Sequence, residues 1–190
     1  MGLIKNNILL RGVRGMLGET IVIRKTGSQL QMANRPDRQA KATPKQQAIQ
    51  DKFRTAAKYA KQQMSDNAAK ALYATGITES KKSARIVAVS DYLNPPKVHF
   101  IGTSGYMGDA GNTIVVNATD DFMVTRLEVT IKASDGTILE TGLAVKDADI
   151  NKVDSWFYVT KENNPSLPGT TILAVAYDRP GNTDTMEVTI

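Results

Sequence analysis

One histidine and no cysteine occur in the 190 residues, so disulfides, thiolate metal sites, cysteine nucleophiles and multi-histidine centres are excluded at the outset. Carboxylates, hydroxyls and amines remain as the groups able to do chemistry. Asp147-Ala-Asp149-Ile-Asn151 opens like a calcium-binding loop, because acids at alternating positions can converge on one cation. The rest of that pattern fails: Lys152 stands where the turn needs glycine, and Tyr158 stands where a bidentate Glu belongs. A solvated inter-strand loop is the better reading. Asp120-Asp121 and Asp109 read as acids in polar turns, and no metal is assigned to them. His99 lies beside Phe100 in a strand-like run and reads as structural. No G-x-S-x-G elbow accompanies it. Ser80-Lys81-Lys82-Ser83 holds serines and lysines, but neighbours on a helix point in different directions, so it reads as a helix start. Gly12, Gly15 and Gly18 form neither a dinucleotide fingerprint nor a Walker A loop, and no cofactor is expected. Gly12-Val-Arg-Gly15 has the form of a phosphate-clamping GXXG loop. That loop joins two helices, however, and this one lies among strand-like residues, so a β turn is expected. A non-enzymatic protein is therefore expected.

Charge is the stronger signal. Residues 1–97 hold 18 Lys and Arg against 6 Asp and Glu, a net +12, whereas residues 98–190 hold 6 against 13, a net −7. One half should seek anionic partners and the other should not. The cations fall into three groups: Arg11, Arg14, Arg24 and Lys25 among the first strands, Arg35, Arg38 and Lys41 in a connector, and Arg54, Lys58 and Lys61 at i, i+4, i+7 on a helix. These ten are the candidate partner-binding residues. The aromatics a nucleic-acid groove would stack bases on are confined here to Phe53, Tyr59, Tyr73 and Tyr92, at core-like or isolated positions. Docking on an acidic protein surface fits at least as well as backbone binding to phosphate.

The elements that would carry these groups divide the chain into residues 1–42, 43–95 and 96–190. From Ile8 to Asn34 strand-like runs are broken by glycine, with turns near Met16-Leu17-Gly18 and Thr26-Gly27, which predicts a hairpin or a three-stranded meander. Such a sheet needs a partner surface. Residues 34–42 read as an extended basic connector. Thr43, Pro44 and Gln46 form a capping box with proline at the first helical position, so a helix should run from Thr43 to Met64. Ile49, Phe53, Ala56, Ala57, Ala60 and Met64 make one apolar stripe that should be buried. Ser65 or Asp66 can cap a second helix, closed by Gly76 in the left-handed conformation. Residues 79–93 suit a buried strand or a helix, and their length without turn residues favours helix. Asn94-Pro95-Pro96 closes the helical part.

Beyond Lys97, seven β-rich runs follow: KVHFIG, TIVVNAT, VTRLEVTIKAS, ILETGLAVK, SWFYVTK, TTILAVAYD and DTMEVTI. Ser134-Asp135-Gly136 and Asp178-Arg179-Pro180-Gly181-Asn182 supply tight turns. Seven strands in about a hundred residues is the count of an immunoglobulin-like sandwich, with Trp156 as a core anchor. The expected fold class is α+β in two parts: a small N-terminal β arm plus a helical segment, followed by an Ig-like antiparallel β-sandwich. No run of apolar residues is long enough to span a membrane, and the N-terminus lacks a cleavage pattern, so a soluble chain without a signal peptide is expected.

The run GVRGMLGETIVIRKTGSQ…RPDRQAKATPKQQAIQDKFRTAAKYA, about the first third of the chain, resembles the start of small proteins of Bacteroidetes and their phages. The end, TILAVAYDRPGNTDTMEVTI, resembles the last hairpin of bacterial Ig-like domains. Together they look like the auxiliary capsid, or head-decoration, proteins of crAss-like tailed bacteriophages. That resemblance implies a virion structural protein made in the host cytoplasm and located on the capsid surface. Its partner would be the major capsid protein or another virion subunit, met by the basic N-terminal region, while the acidic Ig-like domain projects. A nucleic-acid-associated protein using the same basic arm is the alternative. Carbohydrate binding by the Ig-like domain is a third reading, for which no aromatic cluster marks a sugar site.

Overall fold

The computed structural model describes residues 2–4, 13–26, 29–35, 42–148 and 154–190. The chain forms two compact bodies, Met1–Gln47 and Ala48–Ile190. The architecture is α+β, with a small N-terminal β arm, helices, and an Ig-like antiparallel sandwich.

In the first body, β1 (Gly2–Ile4), β2 (Gly15–Leu17), β3 (Ile21–Thr26) and β4 (Gln29–Asn34) form one antiparallel sheet in the order β1-β4-β3-β2. It has one strand more than the meander expected from sequence. β1 is only three residues long, too short to show a pattern, and its pairing is set by the remote Leu30–Met32. The first turn also shifts, to Gly18–Thr20, where Gly18 adopts φ +63°, a conformation that favours glycine. The expected turn at Gly27 and most of the basic connector lie outside the described residues. Ile23 is buried (2% exposed), Ile21 and Val22 are half-buried, and Arg24 and Lys25 are exposed.

Helix α1 (Pro44–Ser65) begins at the capping box expected from sequence. Gln46 N–H donates to Thr43 Oγ1 (3.3 Å) and Thr43 N–H to Gln46 Oε1 (2.9 Å), which satisfies donors that a helix start leaves open. Asp66 caps α2 (Asn67–Ala74) by accepting from Ala68 N–H. Residues 84–93 are helical: α3 (Ala84–Leu93) starts where Ser83 Oγ accepts from Ile86 N–H. The apolar stripe on α1 is buried only in part. Ala56 and Ala60 are buried, but Ile49 and Phe53 are 69% and 55% exposed. Periodicity establishes that a helix has an apolar face, not how much of its length is covered. Here cover begins around Ala56. Gly76 differs as well: it is not left-handed, and the residue before it, Thr75, is right-handed helical. Glycine is needed there for space, because a Cβ would stand 2.8 Å from the Phe122 ring and 2.9 Å from Val87.

The sandwich pairs two four-stranded antiparallel sheets. One orders β5 (Lys97–Gly102), β6 (Thr113–Thr119), β10 (Ser155–Val159) and β9 (Val145–Lys146) as β5-β6-β10-β9. The other orders β12 (Thr183–Thr189), β11 (Thr171–Tyr177), β7 (Arg126–Lys132) and β8 (Ile138–Leu143) as β12-β11-β7-β8. In immunoglobulin terms these are an A-B-E-D sheet and a G-F-C-C′ sheet. The run read as one strand, ILETGLAVK, divides in two because the chain crosses between sheets at buried Ala144, whose N–H donates to Leu127 C=O. Alternation sets the core: Ile114 and Val116 face Leu127, Val129 and Ile131, and Ile172, Ala174 and Ala176, all fully buried. Each large aliphatic among them contributes about 1.5–3 kcal/mol. Both turns expected from sequence close hairpins, with Gly136 at φ +85° and Gly181 at φ +96°. Trp156 is in the core, on β10, the E strand of the A-B-E-D sheet.

Candidate functional site

The first candidate surface is the set of cations. Arg14, Arg24, Lys25 and Arg35 are exposed in the N-terminal body, while Arg11, Arg38 and Lys41 lie outside the described residues. Arg24 and Lys25 are consecutive in β3 and therefore project from opposite faces of the sheet. One sheet face cannot present both. On α1, Arg54, Lys58 and Lys61 are exposed, and Arg54 is tied to Asp51 by an ion pair of 2.6 Å. That exposed i, i+3 pair is worth little to stability. Lys58 and Lys61 make no ion pair among the described residues.

The second candidate is a buried polar junction within the larger body, where the helices pack on one end of the sandwich. Tyr73 of α2 stacks on Phe122 (centroids 4.8 Å apart), and Arg179 of the β11–β12 hairpin lies 5.6 Å from the Tyr73 ring centroid. Asp121, between β6 and β7, fastens the two layers. It pairs with Lys81 (2.6 Å) and accepts from Ser90 Oγ (2.5 Å) and Asn94 Nδ2 (3.3 Å). Burial alone would raise this carboxyl, but the hydrogen bonds from Lys81, Ser90 and Asn94 hold it below its usual range.

Beside that staple, Asp91, Asp120 and Asp178 each bring one carboxylate oxygen within 4.8 Å of the others. Asp91 is fully buried and Asp178 is 4% exposed. Every one of the three is oriented by donors. Asp91 Oδ2 accepts from Tyr73 O–H (2.6 Å), which in turn contacts Tyr59 O–H (2.7 Å). Asp120 Oδ2 accepts from Phe122 N–H and Met123 N–H, and Asp178 Oδ1 from Gly181 N–H and Asn182 N–H. Burial, followed by the charges of Asp120 and Asp178, pushes Asp91 up to about 7 despite the bond from Tyr73. Burial likewise raises Asp178, and Tyr73 is held far above its ordinary value by burial and by Asp91. A small cavity of about 90 Å3 touches Asp120 but neither Asp91 nor Asp178, and is lined further by Phe122, Lys146, Asp154 and Trp156.

In the sequence Asp120 stands as an acid in a polar turn and Asp178 as a turn residue. Asp91 carried a usable signal. It stands four residues after Val87 and seven after Ala84, on the buried face of α3, where an acid needs a partner. His99 is exposed and stands at a bulge in β5, its Nε2 2.7 Å from Thr119 Oγ1, in keeping with a structural histidine. Of the calcium-like loop, Asp149 and Asn151 lie outside the described residues.

No family model matches this chain, and no curated protein sequence matches it. Among solved structures it is similar to CopC from Methylosinus trichosporium OB3b, at 11% identity and a TM-score of 0.34, over 48% of this chain and 87% of that one. It is also similar to a tetra-tandem repeat in the extending region of a large adhesion protein, at 21% identity and a TM-score of 0.31. That match covers 50% of this chain and 23% of the other.

Proposed function

We propose that the chain is a non-enzymatic virion structural protein, an auxiliary capsid or decoration protein. It binds the capsid shell through its basic N-terminal region and projects its acidic Ig-like domain. The observation that carries this reading is the incomplete burial of the N-terminal sheet. Among its described side chains only Ile23 is buried, while Met16 and Leu17 are 59% and 54% exposed beside exposed Arg14, Arg24 and Lys25. A four-stranded sheet with so little core is completed by a partner surface. Its cations select an acidic partner, and the net −7 of residues 98–190 makes that half a poor ligand for the same surface. Residues 1–47 contain no aromatic side chain, so the arm has no platform for stacking bases, which favours a protein partner over nucleic acid.

The test is co-sedimentation of the purified chain with capsids of the phage whose genome encodes it, using wild type and an Arg14→Glu, Arg24→Glu, Arg35→Glu variant. The wild type is expected to pellet with capsids at fixed stoichiometry and the variant to remain in the supernatant. Undiminished attachment of the variant removes the reading. Binding to DNA or RNA in place of capsids, falling steeply with salt, would establish the nucleic-acid alternative.

A further inference from the structure

We infer that Asp91, Asp120 and Asp178 hold one hard divalent cation, calcium by size, where the helices meet the sandwich. The proposal rests on where oxygens and donors lie. Two of the three acids are more than nine-tenths buried, and among the described residues none of the three makes an ion pair. Removing several like charges from water without a counter-charge is very costly, so a cluster this close needs either protons or a cation among its oxygens.

The hydrogen bonds favour the cation. Asp91 and Asp120 each take donors on one oxygen and keep the other free, whereas Asp178 takes donors on both. Asp91 uses Oδ2 for Tyr73, and its Oδ1 is buried with no hydrogen-bond partner. Asp120 uses Oδ2 for two backbone N–H groups, and its Oδ1 is also buried and unpartnered. Asp178 gives Oδ1 to the hairpin backbone and Oδ2 to Asn182 Nδ2 at 2.6 Å. Carboxylates fixed by outer donors, with one oxygen of each converging, are the arrangement in which metal ligands are held. Calcium takes oxygen at about 2.3–2.6 Å, so oxygens on opposite sides of it lie up to about 5 Å apart. A cluster contained within 4.8 Å accommodates that ion. Magnesium, with bonds of about 2.0–2.1 Å, requires a tighter set. Water and backbone carbonyls would complete the coordination. The three ligands come from α3, the β6–β7 connection and the β11–β12 hairpin, so the ion would tie helices to both sheets.

The experiment uses the full chain, dialysed against EDTA and then titrated with CaCl2 or MgCl2 by calorimetry and thermal melting. One calcium per chain is expected, with a Tm rise of roughly 5–10 °C once calcium exceeds its Kd about 100-fold. Magnesium should give a smaller rise. Asp91→Asn should abolish the calcium response and melt in EDTA no lower than wild type, because one uncompensated charge is gone. If that variant does not fold, Asp120→Asn at the half-buried position carries the same test. Terbium emission excited through tyrosine should appear with wild type and vanish with Asp120→Asn. Identical melts in calcium, magnesium and EDTA without binding heat would overturn the proposal in favour of shared protons. Calcium binding that survives both substitutions would overturn it by placing the ion elsewhere.

Discussion

Gly76→Ala tests how tightly the helical layer is fitted to the sandwich. Gly76 lacks a positive φ, so alanine there costs no backbone strain and, by restricting the unfolded chain, contributes about 0.4–1 kcal/mol of stability. Against that gain stands a collision. The new Cβ would lie 2.8 Å from two carbons of the Phe122 ring and 2.9 Å from Val87 Cγ1, closer than real Cβ atoms approach. Neither neighbour gives way freely, since Phe122 is stacked on Tyr73 and Val87 is fully buried. Overpacking of this kind costs about 1–3 kcal/mol. The collision outweighs the entropy gain, leaving a net loss of about 0.5–2 kcal/mol, or a Tm drop of roughly 1–8 °C for a chain of this size. Thermal denaturation followed by near-UV circular dichroism provides the assay. A Tm equal to or above wild type would refute the reasoning and show that the ring and Val87 relax at no cost.

Phe53→Ser and Ile49→Ala should leave stability within about 0.5 kcal/mol of wild type, because both side chains are exposed, whereas Ala60→Leu, at a fully buried position, should cost about 1–3 kcal/mol by urea unfolding. Tyr158→Phe removes the O–H that donates to Glu140 Oε2 at 2.9 Å and should cost about 1–2 kcal/mol; the remaining donor to that oxygen, Lys161 N–H, should then show faster amide exchange. The same tyrosine is raised above its ordinary pKa, by burial first and then by Glu140. Its contribution is therefore complete below the unfolded value near 10 and is lost as pH rises past it. Spectrophotometric titration should find Tyr158 still protonated in the folded chain at a pH where the tyrosines of the unfolded chain have ionised.

Local signals in the sequence were reliable where structure is decided locally. The Thr43–Gln46 capping box, the Ser134–Gly136 turn and the alternation of Leu127, Val129 and Ile131 each depend on neighbours a few residues away. Gly76 shows the limit of that reasoning. A glycine after a helix is ordinarily there for its φ, but this one is needed because Phe122 comes from a distant loop. Ile49 and Phe53 show another, since periodicity does not reveal where a helix outruns its cover. The acidic junction was the least legible feature. Asp91, Asp120 and Asp178 have no motif spacing, and only the packing of α3 against two sandwich loops brings their oxygens together. The N-terminal cations were visible as a charge count, but the count does not indicate that Arg24 and Lys25 point to opposite faces.

The most direct measurement of the central claim is cryo-electron microscopy of purified virions, with mass spectrometry of the same particles. The account predicts this chain at fixed stoichiometry on the capsid shell, its N-terminal sheet against capsid subunits and its sandwich facing solvent. Virions that carry no copy of the chain would contradict it.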